Sequence, residues 1–108
     1  MIINGTNISM TRGDTESMTV TLDDGIGFVE GDIIELTVRV NPSSSTVELY
    51  KKVTEFDQGK ARIDIRPEDT EGFIFRSYVY DIQLTRTNGG VYTIIKPSTF
   101  EILPEVTY

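Results

Sequence analysis

The side chains that most often do chemistry are scarce in this sequence. Its 108 residues include no histidine and no cysteine. That removes the commonest general base, the commonest metal ligand, the thiolate nucleophile and any disulfide framework. A serine or threonine nucleophile would then need a lysine or carboxylate as its base. Ser43, Ser44 and Ser45 form a polar run with no lysine at a useful spacing. Carboxylates are plentiful, and paired carboxylates hydrolyse glycosides. These acids, however, fall on turns or outward strand positions, where solvation is expected. No glycine-rich phosphate cradle is present. The sequence therefore predicts no catalytic, cofactor-binding or metal-binding residues and a protein that is not an enzyme.

Four short patterns invite a functional reading. Asp23-Asp24, with Glu30 and Asp32 nearby, suggests a cation, but calcium loops alternate their ligands as Asp-x-Asp-x-Asp-Gly and this stretch does not. Arg12-Gly13-Asp14 is an integrin-binding tripeptide. Gly13 is better read as supplying positive φ in a tight connection, with Asp14 bonding its own backbone. Asn4-Gly5-Thr6 and Asn7-Ile8-Ser9 match the glycosylation pattern and read as accidents of a polar strand end. Tryptophan, the usual sugar-stacking residue, is absent. Tyr50, Tyr92 and Tyr108 remain as surface candidates, since tyrosine is favoured at interfaces.

Charge narrows the choice of partner. Lys and Arg number 10 against 17 Asp and Glu, a net charge of −7. Residues 1–50 carry 2 basic and 8 acidic side chains, and residues 51–108 carry 8 and 9. Such an acidic surface repels nucleic acid and anionic membranes, so neither is expected as a partner. The acidic half reads as a solubilising face, with docking to a basic partner as the second reading. No apolar run reaches the roughly 20 residues of a membrane helix, and no signal-peptide pattern opens the sequence. A soluble protein is expected.

The chain's organising element is Tyr78–Thr85. Tyr78, Tyr80, Ile82 and Leu84 point one way, and Val79, Asp81, Gln83 and Thr85 the other, the period of a half-buried strand. Both tyrosines read as core, with each hydroxyl sent to a partner. The preceding polar turn, Pro67–Gly72, sets up a tyrosine corner as in immunoglobulin-like sandwiches. Other strands are predicted within Met1–Met10, Glu16–Leu22, Ile33–Val40, Val47–Phe56, Lys60–Arg66, Val91–Lys96 and, after Pro97, Thr99–Leu103. Alternation slips near Lys51-Lys52, which suggests a bulge or an edge strand. Asn88-Gly89 predicts a type I′ hairpin. The fold class is all-β: one domain over 1–108, an immunoglobulin-like antiparallel β-sandwich of seven or eight strands.

The order of these signals resembles a bacteriophage family. Thr11-Arg12-Gly13-Asp14-Thr15 precedes a threonine-rich strand. Ile63 to Thr70 reads Ile-x-Ile-x-Pro-Glu-Asp-Thr and leads to Tyr-x-Tyr-Asp-Ile-Gln from Tyr78 to Gln83, followed by the Asn-Gly-Gly hairpin and Tyr-Thr-Ile-Ile. Over roughly Ile8 to Thr107 this resembles the immunoglobulin-like N-terminal domain of phage baseplate upper proteins and related small phage structural proteins. The resemblance implies a virion structural protein, made in the bacterial host cytoplasm, that docks to other virion proteins and forms trimers or hexamers. Its place could be baseplate, tail, neck or head fibre. The family continues beyond such a domain, so a chain ending at Tyr108 is expected to be a stand-alone particle component or an excised domain. The alternative is a glycan-binding or adhesion module on a virion or bacterial surface. Strand addition at Val47–Val53 or at the terminal strands is the expected mode of docking.

Overall fold

The computed structural model describes residues 1–105, and the Tyr108 expectation lies outside the described residues. In chain order the elements are β1 (Ile2–Asn4), β2 (Asn7–Thr11), β3 (Glu16–Val20), β4 (Ile33–Arg39), β5 (Leu49–Val53), β6 (Ala61–Ile65), α1 (Pro67–Thr70), β7 (Ser77–Thr85) and β8 (Val91–Leu103). Six strands form one sheet in the order β1-β2-β8-β7-β4-β5, and β3 pairs with β6 in a second. The result is a two-layer, sandwich-like β arrangement. Its pairings are antiparallel except for β2 with β8, which run parallel. The expected purely antiparallel sandwich is corrected at that one pair.

Alternation decides what is buried. Ile34, Leu36 and Val38 of β4 and Tyr78, Tyr80, Ile82 and Leu84 of β7 face inward, and all are buried. Ala61, Ile63 and Ile65 of β6 meet them from the other layer and are buried as well. Removing each large side chain from water contributes about 1.5–3 kcal/mol. Both buried tyrosines find partners, as a buried phenol must. The Tyr78 hydroxyl accepts from the Ile74 N–H at 3.1 Å and donates to its carbonyl at 3.4 Å. The Tyr80 hydroxyl donates to the Thr6 carbonyl, tying the β1–β2 turn to the sheet.

Several local expectations change. Met1–Met10 is a hairpin of two strands turning at Gly5-Thr6, with Asn4 opposite Asn7. The sequences before and after Pro97 form one 13-residue strand. Pro97 survives inside it because the β7 ladder shifts register there: Tyr80 pairs with Ser98 and Ile82 with Ile95. The missing N–H falls where the ladder is already interrupted. Conversely, β5 keeps a regular register along β4 from Leu49 to Val53, with no bulge at Lys51-Lys52. The phase slip instead marks an edge strand, where Lys51 sits inward beside its ladder partner Leu36 and Lys52 outward beside Glu35.

The type I′ turn lies at a loop other than the expected Asn88-Gly89. At Thr87-Asn88-Gly89 only Gly89 has positive φ, and the Gly89 N–H donates to the Arg86 carbonyl at 2.9 Å. That is a three-residue loop ending in a left-handed glycine, not a type I′ turn. Positive φ at both central residues occurs instead at Gln58 (52°) and Gly59 (74°), between Asp57 and Lys60, whose backbones exchange both hydrogen bonds. The Pro67–Gly72 turn contains the single helical turn α1, whose Asp69 carboxylate accepts from the Arg66 N–H at 2.8 Å.

Replacing Tyr78 with Phe keeps the ring and removes the hydroxyl bonded to Ile74. The expected loss is about 1 kcal/mol of unfolding free energy in urea. Tyr50→Phe, at an exposed hydroxyl, serves as the control and is expected to change stability by less than about 0.5 kcal/mol.

Candidate docking surfaces

Three surface regions hold the polar groups that the fold brings together. The first is at the end of the sandwich formed by the β3–β4 connection and the β7–β8 hairpin. Ile33 pairs with Thr85, so the register places Asp32 opposite Arg86. Asp32 is fully buried, against the expectation that the acids of this stretch lie in solvent. Its Oδ2 accepts from the Arg86 guanidinium at 2.7 Å and from the Val29 N–H at 2.9 Å. Arg86 also reaches Asp24 Oδ2 at 3.3 Å. Asp24 Oδ1 accepts from the Gly27 and Ile26 N–H groups, and these bonds, with Arg86, hold its carboxyl below the usual carboxylate range. Two of the four acids that suggested a cation, Asp24 and Asp32, are thus bridged by the protein's own guanidinium. Above them lies a cleft of about 670 Å³ walled by Ile26, Val29, Tyr92 and Ile94.

The second region is the outward face of the six-stranded sheet. Tyr50 donates to the Glu35 carboxylate at 2.5 Å, which pushes the phenol's pKa up. Asp81, on the same face and opposite Thr37, is half-buried, and desolvation raises its carboxyl pKa, only partly offset by Arg39. Tyr92 does not join Tyr50 here. It pairs with Leu84, on the opposite side of the sheet from the Thr37–Tyr50 pair, so the two exposed tyrosines make no common platform.

The third region is the flank where the layers end. β5 is the outermost strand of the large sheet, and β6 has β3 on one side only. Between them is a cleft of about 430 Å³ lined by Lys51, Lys52, Arg62, Arg66, Asp64 and Asp69 among others. Lys51 Nζ reaches across it to Asp69 Oδ2 at 2.6 Å. Burial pushes the Asp69 carboxyl up, but the Arg66 N–H and the Lys51 ammonium outweigh it and hold the group below its ordinary value. Of the terminal strands, β1 is an edge. β8 lies between β2 and β7 and is not.

The Arg12-Gly13-Asp14 turn is occupied internally. Arg12 stacks 4.4 Å over the Phe75 ring and pairs with Glu105 at 3.3 Å, while the Gly13 N–H donates to the buried Thr70 hydroxyl at 2.9 Å. Gly13 has the expected positive φ of 84°. Asp14 uses its backbone N–H, bonded to the Thr11 carbonyl, as the turn donor. The Asp32–Arg86 pair was the feature missed in sequence. Its signal was the antiparallel register, which sets an acid entering β4 opposite an arginine leaving β7.

No helix among the described residues is long and apolar enough to cross a membrane. Against family models, curated proteins and solved structures, the chain finds no match.

Two outcomes follow from the buried and half-buried acids. Arg86→Met leaves the Asp32 carboxylate buried without its cation, so urea unfolding should show a loss of about 3 kcal/mol. Pairing it with Asp32→Asn should recover much of that loss. For Asp81, the folded pKa lies above the unfolded value, so the ionised carboxylate opposes folding at pH 7. Asp81→Asn is expected to raise the melting temperature at pH 7. The gain should shrink as pH falls through the raised pKa and be gone below the unfolded pKa, where the wild-type carboxyl is protonated in both states.

Proposed function

We propose that this protein is a non-enzymatic structural component of a phage virion, an immunoglobulin-like domain that works by docking to neighbouring virion proteins. The observation that carries the reading is the Tyr78 hydroxyl closing on the Ile74 backbone just before β7. That closure has the form of the tyrosine corner found in immunoglobulin-like sandwiches, which supports the reading, and it stands within the Ile63–Gln83 segment that resembles the phage family. The β3/β6 layer packed against a sheet with β7 at its centre supports the same reading.

A docking role is supported by the surface. Open edges at β1 and β5, together with exposed Ile2, Ile3, Ile74 and Phe75, offer backbone and apolar groups to a partner. The acids offer little for acid–base chemistry. Asp24 and Asp32 are held by Arg86, and Asp81, whose pKa is raised, sits opposite a threonine. Nothing about Tyr50 and Tyr92 favours the glycan-binding alternative, since they lie on opposite sides of the sheet.

The test is immunogold labelling of purified phage particles from the source lysate with antibody against this chain, alongside light scattering of the pure protein over a concentration series. Labelling at one fixed position on the particle is the expected result, with a trimer or hexamer in solution if the protein self-assembles. A chain found only in the soluble fraction, never on particles, would overturn the proposal.

A further inference from the structure

The flank between β5 and β6 has a composition that the rest of the surface lacks. The protein carries a net charge of −7, yet this cleft is lined by four cations, Lys51, Lys52, Arg62 and Arg66, against three carboxylates. The comparable clefts at the loop end and beside Phe56 have more acids than bases. Two of its cations and two of its carboxylates pair with each other, Lys51 with Asp69 at 2.6 Å and Arg62 with Asp64 at 2.8 Å, which leaves Lys52 and Arg66 against Glu68. Lys52 and Arg66 are exposed.

The strand beside this cleft is an unpaired edge among the described residues. Its sequence, Leu49-Tyr50-Lys51-Lys52-Val53, keeps a regular ladder with β4, so its free side has the regular geometry that another strand needs. Lys51 and Lys52 are adjacent and therefore point to opposite faces. A strand added along β5 would meet the exposed Lys52 on one face and Lys51 on the other, with apolar Leu49 and Val53 on either side. The Lys51 ammonium pairs with Asp69 at 2.6 Å and would exchange that partner for an incoming carboxylate. Directly opposed opposite charges stabilise such a pairing, and like charges oppose it.

We propose that the free edge of β5 is a strand-addition site for an extended partner segment carrying two consecutive acidic residues flanked by β-branched ones. This rests on the docking reading above and specifies its partner. Main-chain hydrogen bonds along β5 would supply the attachment, and Lys51 and Lys52 the register. Arg62 and Arg66 across the cleft would add long-range attraction. The same lysines exclude ordinary hydrophobic edges, so the site rejects self-aggregation while accepting an acidic strand.

The probe is a synthetic peptide, acetyl-Thr-Val-Glu-Glu-Val-Thr-amide, titrated into isotope-labelled protein and followed by amide shifts and hydrogen exchange. Shifts and slowed exchange concentrated at Tyr50–Val53, absent with the Lys-Lys analogue of the peptide, are the expected result. Lys52→Glu, at an exposed position, should keep the native spectrum. It should weaken the acidic peptide by roughly tenfold, since it turns an attractive cross-strand pair into a repulsive one, and should favour the Lys-Lys peptide instead. Equal binding of both peptides, binding mapped away from β5, or no binding at all would each overturn the proposal and leave the lysines as edge guards. A protein that labels particles yet fails this titration loses the β5 site and keeps the docking reading. A protein absent from particles loses the broader reading whatever the peptide does.

Discussion

Two strands cannot cover six. At the usual strand spacing, the large sheet spans roughly 24 Å between its outermost strands, and the two-stranded β3–β6 layer is only about a third as wide as six strands. The rest of the apolar face must be closed by connections or left at the surface. The chain does both. Phe28 comes from the β3–β4 connection and packs against Phe56 from the β5–β6 connection, ring centroids 5.3 Å apart. Phe73, from the segment after α1, packs on Tyr78 at 4.7 Å. Loops thus supply aromatic bulk where sheet is missing. Beyond their reach, Ile2 and Ile3 of β1 stay exposed and β5 ends in an open flank.

The need to hold those loops in place explains the polar contacts. A loop that contributes core must have its backbone groups satisfied and its entry fixed. Asp32 does this for the β3–β4 connection by accepting from Val29, and Arg86 neutralises it from the neighbouring hairpin. Thr70 does the same for the β2–β3 turn through Gly13. Both Asp32 and Thr70 are fully buried, where an unpaired polar group would cost several kcal/mol. These contacts stabilise the fold less through their own strength than through the penalty of breaking them. Arg12, in a tripeptide with a functional look, has the same kind of job: it stacks on Phe75 and fixes the segment that leads to Tyr78.

Most of the strand layout was legible because period-two alternation is local. β4, β6 and β7 show it without interruption, and each buries the side that the alternation marks. What failed was what depends on a neighbour. Pro97 looked like a strand break because its tolerance comes from a register shift in β7, not from its own flanks. Asn88-Gly89 looked like the tightest turn because of its residue pair, yet strand geometry placed the type I′ turn at Gln58-Gly59. The parallel β2–β8 pair is a long-range pairing with no local signature. Asp32 looked like one more surface acid because its burial depends on a partner 54 positions away in sequence. Of the surface regions, the β5 edge was visible as a slip in alternation; its cationic surroundings, drawn partly from β6, were not.

The open flank links the architecture to the proposed role. An edge strand that buries nothing useful would ordinarily be shortened, bulged or covered. β5 is regular, and the inward position next to Leu36 is filled by a lysine whose ammonium leaves the core to reach Asp69. A leucine there would extend the apolar face to the rim and make the edge adhesive to any strand. A lysine keeps the backbone geometry available and removes that indiscriminate attraction. Charge on both faces of a regular edge is therefore a means of choosing partners, and it selects against pairing with the same lysine-bearing edge of another copy. The same missing coverage that forces loops into the core leaves this edge free to be selective.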